Sequence, residues 1–159
     1  MVADEQNNVL LEDLGYLVGP PRTCVLDSKR RFTVYSGWRK ILTVADCLYV
    51  MPDLELPCLN LLSPSAMGKR LAALRERKLS EKGIGNALRN VGENSELLKL
   101  DVQGRARVCD RLLRAAHIDD KVVLVPAVVH IQLWAPSLYP GGEDVNRETW
   151  AETGTLLDI

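Results

Sequence analysis

The chain has 159 residues, of which 47% are hydrophobic and 26% are charged, and its formal net charge at pH 7 is −1. This composition is typical of a folded globular protein and excludes wholesale disorder. No apolar run is long enough to span a bilayer, and the residues near the N-terminus are acidic where a signal peptide would be basic, so a cytoplasmic protein with no membrane partner is expected.

The charges are unevenly distributed along the chain. Residues 22–40 contain six basic residues and one acidic residue, and residues 63–91 contain seven basic and two acidic residues. Residues 1–13 and 141–159 are acidic. A basic face can therefore exist on a molecule that is nearly neutral overall.

Residues 1–22 are predicted to form a flexible N-terminal arm that ends in a turn, because a weak helical pattern is broken by two glycines and two prolines. Thr23–Leu26 is predicted to be a strand, Asp27–Arg30 a tight turn and Arg31–Tyr35 the returning strand, since β-branched and aromatic residues alternate beside the turn. We therefore expect a β-hairpin immediately after the arm.

A short helix should follow this hairpin. Ser36 is a preferred helix N-cap residue and precedes a basic amphipathic stretch, Gly37–Leu42. Two further strands are predicted at about 47–51 and 58–62. Residues 23–65 thus form a first unit of hairpin, helix and hairpin.

A helical linker is predicted over residues 66–94. Ser63 followed by Pro64 is typical of the N-cap and first turn of a helix. Gly83 and Gly85 should divide the linker into a longer and a shorter helix.

The stretch Val25–Val34 recurs 74 positions later as Lys99–Val108. Each copy contains a leucine, an aspartate, three polar or turn-forming residues, an arginine and then alternating side chains. The same offset aligns two further landmarks: Ser36 with Asp110, which is likewise predicted to be a helix N-cap, and Leu48–Pro52 with Val122–Pro126. After a change of two residues in the offset, Leu59–Ser65 aligns with Ile131–Ser137. A supersecondary unit is therefore present twice, and residues 95–139 are predicted to repeat the first unit.

The C-terminal residues 140–159 are predicted to be a tail or a short helix. Pro140 and two following glycines interrupt any continuous helix, so a helix should extend at most over Asp144–Thr153. The last residues should fray.

Each copy of the repeated stretch places an aspartate four residues before an arginine. A carboxylate at the first position of a turn can accept hydrogen bonds from N–H groups two residues on, and it can also pair with the arginine. Asp27 and Asp101 are therefore predicted to brace two rigid turns whose basic neighbours point outward.

Two D-x-x-x-R segments, in register with strand, helix-start and proline landmarks and joined by a helical linker, resemble the MraZ family from about Cys24 to Tyr139. The motif falls on Asp27 and Arg31, and on Asp101 and Arg105. The resemblance implies an α+β fold with two pseudo-twofold AbrB-like swapped-hairpin halves of the double-split β-barrel type. It also implies a ring-shaped homo-oligomer that regulates transcription by binding repeated DNA boxes upstream of the division and cell-wall gene cluster.

The chain departs from the family pattern at three positions. Arg30 stands where the family has a glycine, which the second copy retains as Gly104, and Tyr35 and Cys109 stand where the family has proline. A residue other than glycine costs roughly 1 kcal/mol where φ is positive. Either Arg30 is retained for its charge or the first turn has a different conformation.

Double-stranded DNA is the expected partner, and basic side chains of the two turns are the candidate contacts with phosphates and guanine edges. These candidates are Lys29, Arg30, Arg31, Arg105 and Arg107. Lys29 matches a basic position of the family, whereas Gln103 does not. The alternative is that the turns are charged for solubility and that Arg31 and Arg105 only pair with their own aspartates; Lys29, Arg30 and Arg107 would then supply most of the free charge.

Basic residues outside the turns are ambiguous. The linker run Lys69–Lys82 could extend the binding face, but a solvated helix surface with its apolar stripe on the core is the favoured interpretation. The basic residues of the short helices raise the same question; they are Arg39, Lys40, Arg111 and Arg114.

No catalytic site, cofactor, metal or small-molecule substrate is predicted. His117 and His130 lie outside any nucleophile or metal motif, and the four cysteines form no C-x-x-C pair. The cysteines are interpreted as thiols of a reducing compartment. The tryptophans are interpreted as core or subunit-contact residues; they are Trp38, Trp134 and Trp150.

The sequence therefore predicts a cytoplasmic, nucleoid-associated, sequence-specific DNA-binding regulator that is not an enzyme. The alternative is a degenerate homologue that keeps the oligomer but serves as a scaffold for protein partners, without specific DNA binding.

Overall fold

The computed structural model describes residues 15–76 and 83–158. The helical pattern of the arm at Val9–Leu14 and the last part of the basic linker run, Arg77–Lys82, lie outside the described residues. Among the described helices, none combines the length and the apolar composition needed to cross a lipid bilayer.

The described residues form eight strands and five helices. The strands are β1 (Arg22–Val25), β2 (Phe32–Thr33), β3 (Cys47–Pro52), β4 (Leu59–Leu62), β5 (Glu96–Lys99), β6 (Arg105–Ala106), β7 (Lys121–Pro126) and β8 (Ile131–Trp134). The helices are α1 (Ser36–Leu42), α2 (Pro64–Glu76), α3 (Ile84–Glu93), α4 (Asp110–Ala115) and α5 (Arg147–Leu157). The protein is thus of the α+β class, as predicted. The 74-residue offset relates β1 to β5 and β3 to β7, and the expected change of two residues relates β4 to β8.

Six strands form one antiparallel sheet in the order β1-β7-β8-β4-β3-β5, and β2 pairs with β6 in a separate ribbon. The first strand of each half pairs with the hairpin of the other half: β1 with β7, and β5 with β3. Exchanging the two halves leaves this pattern of pairings unchanged. The duplication in the sequence is therefore also a duplication in the topology, and the halves are joined by their strands.

The predicted hairpin of Thr23–Leu26 with Arg31–Tyr35 is wrong. The chain does reverse at Asp27, whose N–H donates to the carbonyl of Arg31 at 3.0 Å, but the strands then separate. β1 continues along β7, whereas β2, only two residues long, pairs Phe32 with Ala106 of the other half. Alternating side chains identify a strand and its buried face, but they do not identify its partner.

The main core lies on one face of the six-stranded sheet. The sheet contributes alternate residues from its inner face, such as Leu48, Val50, Leu59 and Leu61, and all four are fully buried. Helices α1 and α4 and the β2–β6 ribbon cover this face with a further set of buried side chains. These include Phe32, Val34, Trp38, Leu42, Ala106, Val108, Leu112 and Leu113. The ribbon that follows the two turns is therefore anchored directly on the core.

The linker helices lie on the opposite face of the sheet. Helix α2 packs against β3 and β4, and residues that alternate with the core positions, such as Tyr49 and Leu97, line an open groove with α2 and α3. This groove, about 310 Å³ in volume, is called the linker groove; its apolar residues are Tyr49, Met67, Leu71, Leu88, Val91 and Leu97. The basic residues Lys69, Arg70 and Arg75 of α2 are exposed. The turns and the linker therefore lie on different sides of the sheet.

The residues that precede β1 pack on the fold. Leu17 is buried and forms an isolated antiparallel bridge with Val128 in the β7–β8 loop. The indole N–H of Trp38 donates to the carbonyl of Val18 at 3.0 Å. Trp38 and Trp134 are buried, as predicted for core tryptophans, whereas Trp150 of α5 is 59% exposed.

Two of the three predicted helix caps are wrong. Ser63 does cap α2, since its hydroxyl accepts a hydrogen bond from the N–H of Ala66 at 3.0 Å. Ser36 and Asp110, however, are the first residues of α1 and α4, and the cap positions belong to Tyr35 and Cys109, which provide no side-chain cap bond. Residues already inside the first helical turn have left the extended conformation that an N-cap requires.

Two predicted helix boundaries also need correction. Gly85 does not break the linker, because it lies inside α3; Gly83, with φ of 99°, is the residue before the helix. The C-terminal helix α5 extends to Leu157 and so passes the predicted limit at Thr153. A glycine lowers helix propensity without forbidding a helix.

Candidate functional site

The first turn, Asp27–Arg31, is closed by the aspartate. One carboxylate oxygen, Oδ1, accepts hydrogen bonds from the backbone N–H groups of Lys29 at 2.9 Å and Arg31 at 2.8 Å. The other, Oδ2, accepts a charge-assisted bond from Nε of Arg31 at 2.8 Å. Three hydrogen bonds to a single side chain fix both the turn and the direction of the arginine.

The second turn, Asp101–Arg105, has the same geometry. Oδ1 of Asp101 accepts from the N–H groups of Gln103 and Arg105, both at 2.9 Å, and Oδ2 accepts from Nε of Arg105 at 2.8 Å. In each turn, the N–H of the residue before the arginine also donates to the carbonyl of the aspartate. Asp27 and Asp101 therefore accept equivalent hydrogen bonds within their turns.

The two turns lie side by side. Nη1 of Arg31 is 3.7 Å from Oδ2 of Asp101, so the arginine of the first turn also reaches the aspartate of the second. Thr33, two residues after the first turn, pairs with Arg105 in the β2–β6 ribbon. Residues 27–31 and 101–107 thus form one continuous surface, called the turn surface below.

The aspartates of the turn surface are held in the ionised form. Hydrogen bonds from the backbone N–H and the guanidinium of Arg31 lower the pKa of Asp27, with partial desolvation acting in the opposite direction. The corresponding bonds from Arg105 lower the pKa of Asp101. These hydrogen bonds are stronger to the charged form of each carboxylate, so the turns stay braced at neutral pH.

The position before each motif arginine has a left-handed backbone. Arg30 has φ of 61° and Gly104 has φ of 79°. The first turn therefore keeps the conformation of the second, and the alternative that it differs is excluded. Glycine adopts this left-handed conformation without strain, whereas for Arg30 it costs roughly 1 kcal/mol of folding free energy.

Arg39 of helix α1 occupies the space above Gly104. Its Nε donates to the carbonyl of Val34 at 2.9 Å, and its Nη2 donates to the carbonyl of Gln103 at 3.1 Å. A Cβ atom at Gly104 would overlap the guanidinium of Arg39. A helix of the first half thereby holds the turn of the second half.

Arg30 and Arg107 are less free than predicted, because both approach Asp110. Nε of Arg30 lies 3.7 Å from Oδ1 of Asp110, and Nη2 of Arg107 lies 3.5 Å from the same oxygen. These pairs are long and largely solvated, so each contributes at most about 1 kcal/mol. Asp110 orients the two guanidinium groups more than it neutralises them.

The turn surface carries an excess of positive charge. The five predicted cations and Arg39 face three carboxylates, those of Asp27, Asp101 and Asp110. The side chain of Lys29 is exposed and makes no hydrogen bond or ion pair with any other residue in the described parts of the chain. Guanidinium and ammonium groups can bind phosphate oxygens, and arginine can also address guanine edges.

The other candidate groups do not converge on this surface. His130 is partly buried, and burial, assisted by Arg70, lowers its pKa, with Asp53 acting in the opposite direction. Burial, followed by the nearby Asp53, raises the pKa of Cys58 to about 11, which makes it a poor nucleophile. Within residues 15–76 and 83–158, no three metal-ligating side chains are grouped to hold an ion.

Sequence reasoning missed the roles of Arg39 and Asp110 in the turns. Arg39 belongs to the first half, whereas the turn that it holds belongs to the second. The equivalent position of the second half is Leu113, so the repeat did not indicate a role for Arg39. The sequence indicated Asp110 only as a helix N-cap residue. Its pairing with Arg107 three residues earlier was visible in the spacing, but its pairing with Arg30 depends on the tertiary structure.

Comparison with known proteins gives two related sequences. No protein-family model matches the chain. Two curated proteins named Transcriptional regulator MraZ, from Rhizobium johnstonii and Rhizobium leguminosarum bv. trifolii, are each 24% identical over 116 residues. The alignments cover 72% of this chain and 80% of each relative. The resemblance that was predicted from the two D-x-x-x-R segments is thereby confirmed.

Proposed function

Since the two relatives support membership of this chain in the MraZ family, we propose that it is a sequence-specific DNA-binding regulator of transcription. Its targets are repeated boxes upstream of its own division and cell-wall gene cluster, as the family resemblance implies. The protein is not an enzyme in this proposal, and it acts in the cytoplasm in association with the nucleoid.

The contact between Arg31 and Asp101 is the observation that carries this proposal. It joins two equivalent, internally braced turns into one basic surface. A duplex presents phosphates and base edges in a fixed geometry, so rigid side chains lose little conformational entropy on binding. Lys29, Arg30, Arg31, Arg105 and Arg107 are the proposed DNA contacts, and Asp27 and Asp101 are the residues that brace the turns and hold Arg31 and Arg105 in position.

The fold is proposed to be a double-split β-barrel built from two AbrB-like halves. The exchange of β1 and β5 between the hairpins, and the separate pairing of β2 with β6, support this assignment. In this description residues 23–65 and 95–139 are the two halves and 66–94 is the linker. Residues 1–22 and 140–159 are the arm and the tail.

A ring-shaped homo-oligomer is proposed as the functional form. The linker groove and helix α5 support it, because both present apolar side chains at the molecular surface. In α5 these include Trp150, Leu156 and Leu157. Neighbouring subunits in a ring would present several turn surfaces to repeated DNA boxes. Weak contacts of single subunits would then be strengthened by multivalency.

The proposal is tested by fluorescence-anisotropy titration of the protein's own upstream DNA at several salt concentrations. Affinity should fall steeply with salt, and Lys29→Ala should reduce the slope of log K against log salt by about 1. Arg31→Ala and Arg105→Ala should each weaken binding by about tenfold or more, and a scrambled duplex should bind more weakly than the upstream sequence.

Arg75→Ala is the matched control, because it removes an exposed arginine from α2, on the other side of the sheet. It should leave the affinity unchanged. If Lys29→Ala, Arg31→Ala and Arg105→Ala bind the upstream DNA as tightly as the wild-type protein does, the protein is not a specific DNA-binding regulator and the scaffold alternative is favoured. The same conclusion follows if the scrambled duplex binds as well as the upstream duplex. Light scattering of the same samples reports whether any loss of affinity arises from loss of the oligomer.

A further inference from the structure

An open cleft of about 360 Å³ lies beside the turn surface, between β1, β2 and helix α1. Arg22 and Arg39 line it, together with the hydroxyl-bearing residues Thr33 and Ser36. Arg39 is the residue that holds Gly104, so the cleft is continuous with the second turn. Neither the sequence motif nor the turn contacts assign a role to this cleft.

Both arginines are preorganised without an acidic partner. The guanidinium of Arg22 stacks on the ring of Tyr35, with its central carbon 3.5 Å from the ring centroid, and leaves its N–H edges available. Arg39 gives two of its five N–H groups to backbone carbonyls, which leaves three. Among the described residues, neither arginine forms an ion pair with a carboxylate.

The other half of the molecule provides an internal comparison. At the 74-residue offset, the position of Arg22 is occupied by Glu96, that of Ser36 by Asp110 and that of Arg39 by Leu113. Glu96 also contacts the residue equivalent to Tyr35, since its carboxylate accepts a hydrogen bond from the N–H of Cys109 at 3.1 Å. The position of Thr33 is occupied by Arg107, which pairs with Asp110. The first half therefore has two arginines without a carboxylate partner in this cleft, whereas the second half has two carboxylates beside one arginine.

We infer that the cleft lined by Arg22 and Arg39 binds a backbone phosphate of the DNA that contacts the turn surface, and that the equivalent site of the second half does not. This inference rests on the proposed function and deepens it. Arginine pairs bind phosphate through several N–H groups at once, and a phosphate contact fixes the register of a protein on the duplex. Since only one half has the site, the two halves contact DNA unequally and each subunit binds with a defined polarity.

Salt-dependent titration of the upstream DNA tests the inference, with Arg22→Gln as the main variant because Arg22 makes no hydrogen bond to the turns in the described structure. Neutralising one phosphate contributes about 0.9 to the slope of log K against log salt, so Arg22→Gln should lower the slope by about that amount. Arg22→Lys should restore it, because the charge is retained. A role of Arg22 in folding alone would change the affinity without this change in slope.

Glu96→Gln is the position-matched control and should leave the slope unchanged, because Glu96 itself contacts no phosphate. If Lys29→Ala weakens DNA binding while Arg22→Gln keeps the wild-type slope, the proposed function stands and the phosphate site is refuted. If neither variant affects binding, both proposals fail. Calorimetric titration with inorganic phosphate, without DNA, should show no saturation below the millimolar range; saturation that Arg22→Gln abolishes would assign the cleft to a free anion and overturn the inference.

Discussion

Gly104→Ala should destabilise the fold, because the added methyl group displaces Arg39 from the second turn. Gly104 is buried, has φ of 79° and lies beneath the guanidinium of Arg39. The side chain of Arg39 is flexible enough to move away. It would then lose its hydrogen bonds to the carbonyls of Val34 and Gln103.

The expected cost has two main components. A left-handed conformation costs an alanine about 1 kcal/mol, and each lost hydrogen bond costs about 1 kcal/mol. Replacing a glycine lowers the entropy of the unfolded chain, which stabilises the fold by about 0.5 kcal/mol. The net loss in the free energy of unfolding is therefore about 2 to 3 kcal/mol, which for a chain of this length corresponds to a fall of about 4 to 12 °C in Tm.

A double-mutant cycle measured by urea unfolding checks this account. In an Arg39→Ala background, Gly104→Ala should cost no more than about 1 kcal/mol, because only the backbone strain remains. Arg30→Gly is the matched change at the equivalent position. Relief of strain there is offset by unfolded-state entropy and by loss of a solvated ion pair, so its effect should stay within about 1 kcal/mol. Equal costs of Gly104→Ala in both backgrounds would refute the claim that Arg39 holds the turn.

Three further predictions concern titratable groups. Asp27→Asn and Asp101→Asn should both lower Tm at pH 7, because both carboxylates accept the same hydrogen bonds, and Asp101→Asn should have the slightly larger effect because Asp101 also pairs with Arg31. Since these bonds lower the pKa of each aspartate, their stabilisation is present above about pH 4 and is lost as the pH falls through the lowered values. Each variant should therefore differ less from wild type in acid, and an unchanged Tm at pH 7 would show that the carboxylate does not brace its turn. Burial lowers the pKa of His130, so the fold favours the neutral ring. The free energy of unfolding should therefore decline as the pH falls from about 6.5 through the lowered value. His130→Leu should flatten this decline in urea unfolding, and an unchanged decline would exclude His130 as its source. Since burial raises the pKa of Cys58 to about 11, iodoacetamide at pH 7.5 should label this thiol only after unfolding, and mass-spectrometric detection of the adduct in the folded protein would contradict its burial.

The duplication made much of the fold predictable. Patterns at Leu48–Pro52 and Val122–Pro126 support each other at one offset, and the structure has strands over Cys47–Pro52 and Lys121–Pro126. Strand partners could not be predicted in the same way, because β1 carries the same alternation whether it pairs with β2 or with β7. The nearest strand in sequence was the natural choice, and the exchange between halves overrides it.

Local chemistry predicted the contacts within each turn but not those between halves. Asp27 and Arg31 are close in sequence, so their hydrogen bonds follow from their spacing. The contact between Arg31 and Asp101 and that between Arg39 and Gln103 depend on how the halves are placed together. The spacing of apolar residues in α1 indicates that Trp38 faces the core, but it does not indicate which residues the neighbouring Arg39 contacts.

The exchanged topology couples the residues of each turn to those of a helix in the other half. Each turn rests against the helix of the opposite half: the second turn meets Arg39 of α1, and the first meets Asp110 of α4. Where glycine is retained, at Gly104, the opposite helix supplies the guanidinium; where arginine replaces glycine, at Arg30, the position equivalent to Arg39 is the buried Leu113. An arginine at both the turn and the opposite helix would compete for the same space and bring like charges together. A substitution at one position therefore limits the residues that its partner in the other half can tolerate, which accounts for Arg39 in the first cleft and Leu113 at the equivalent position of the second half.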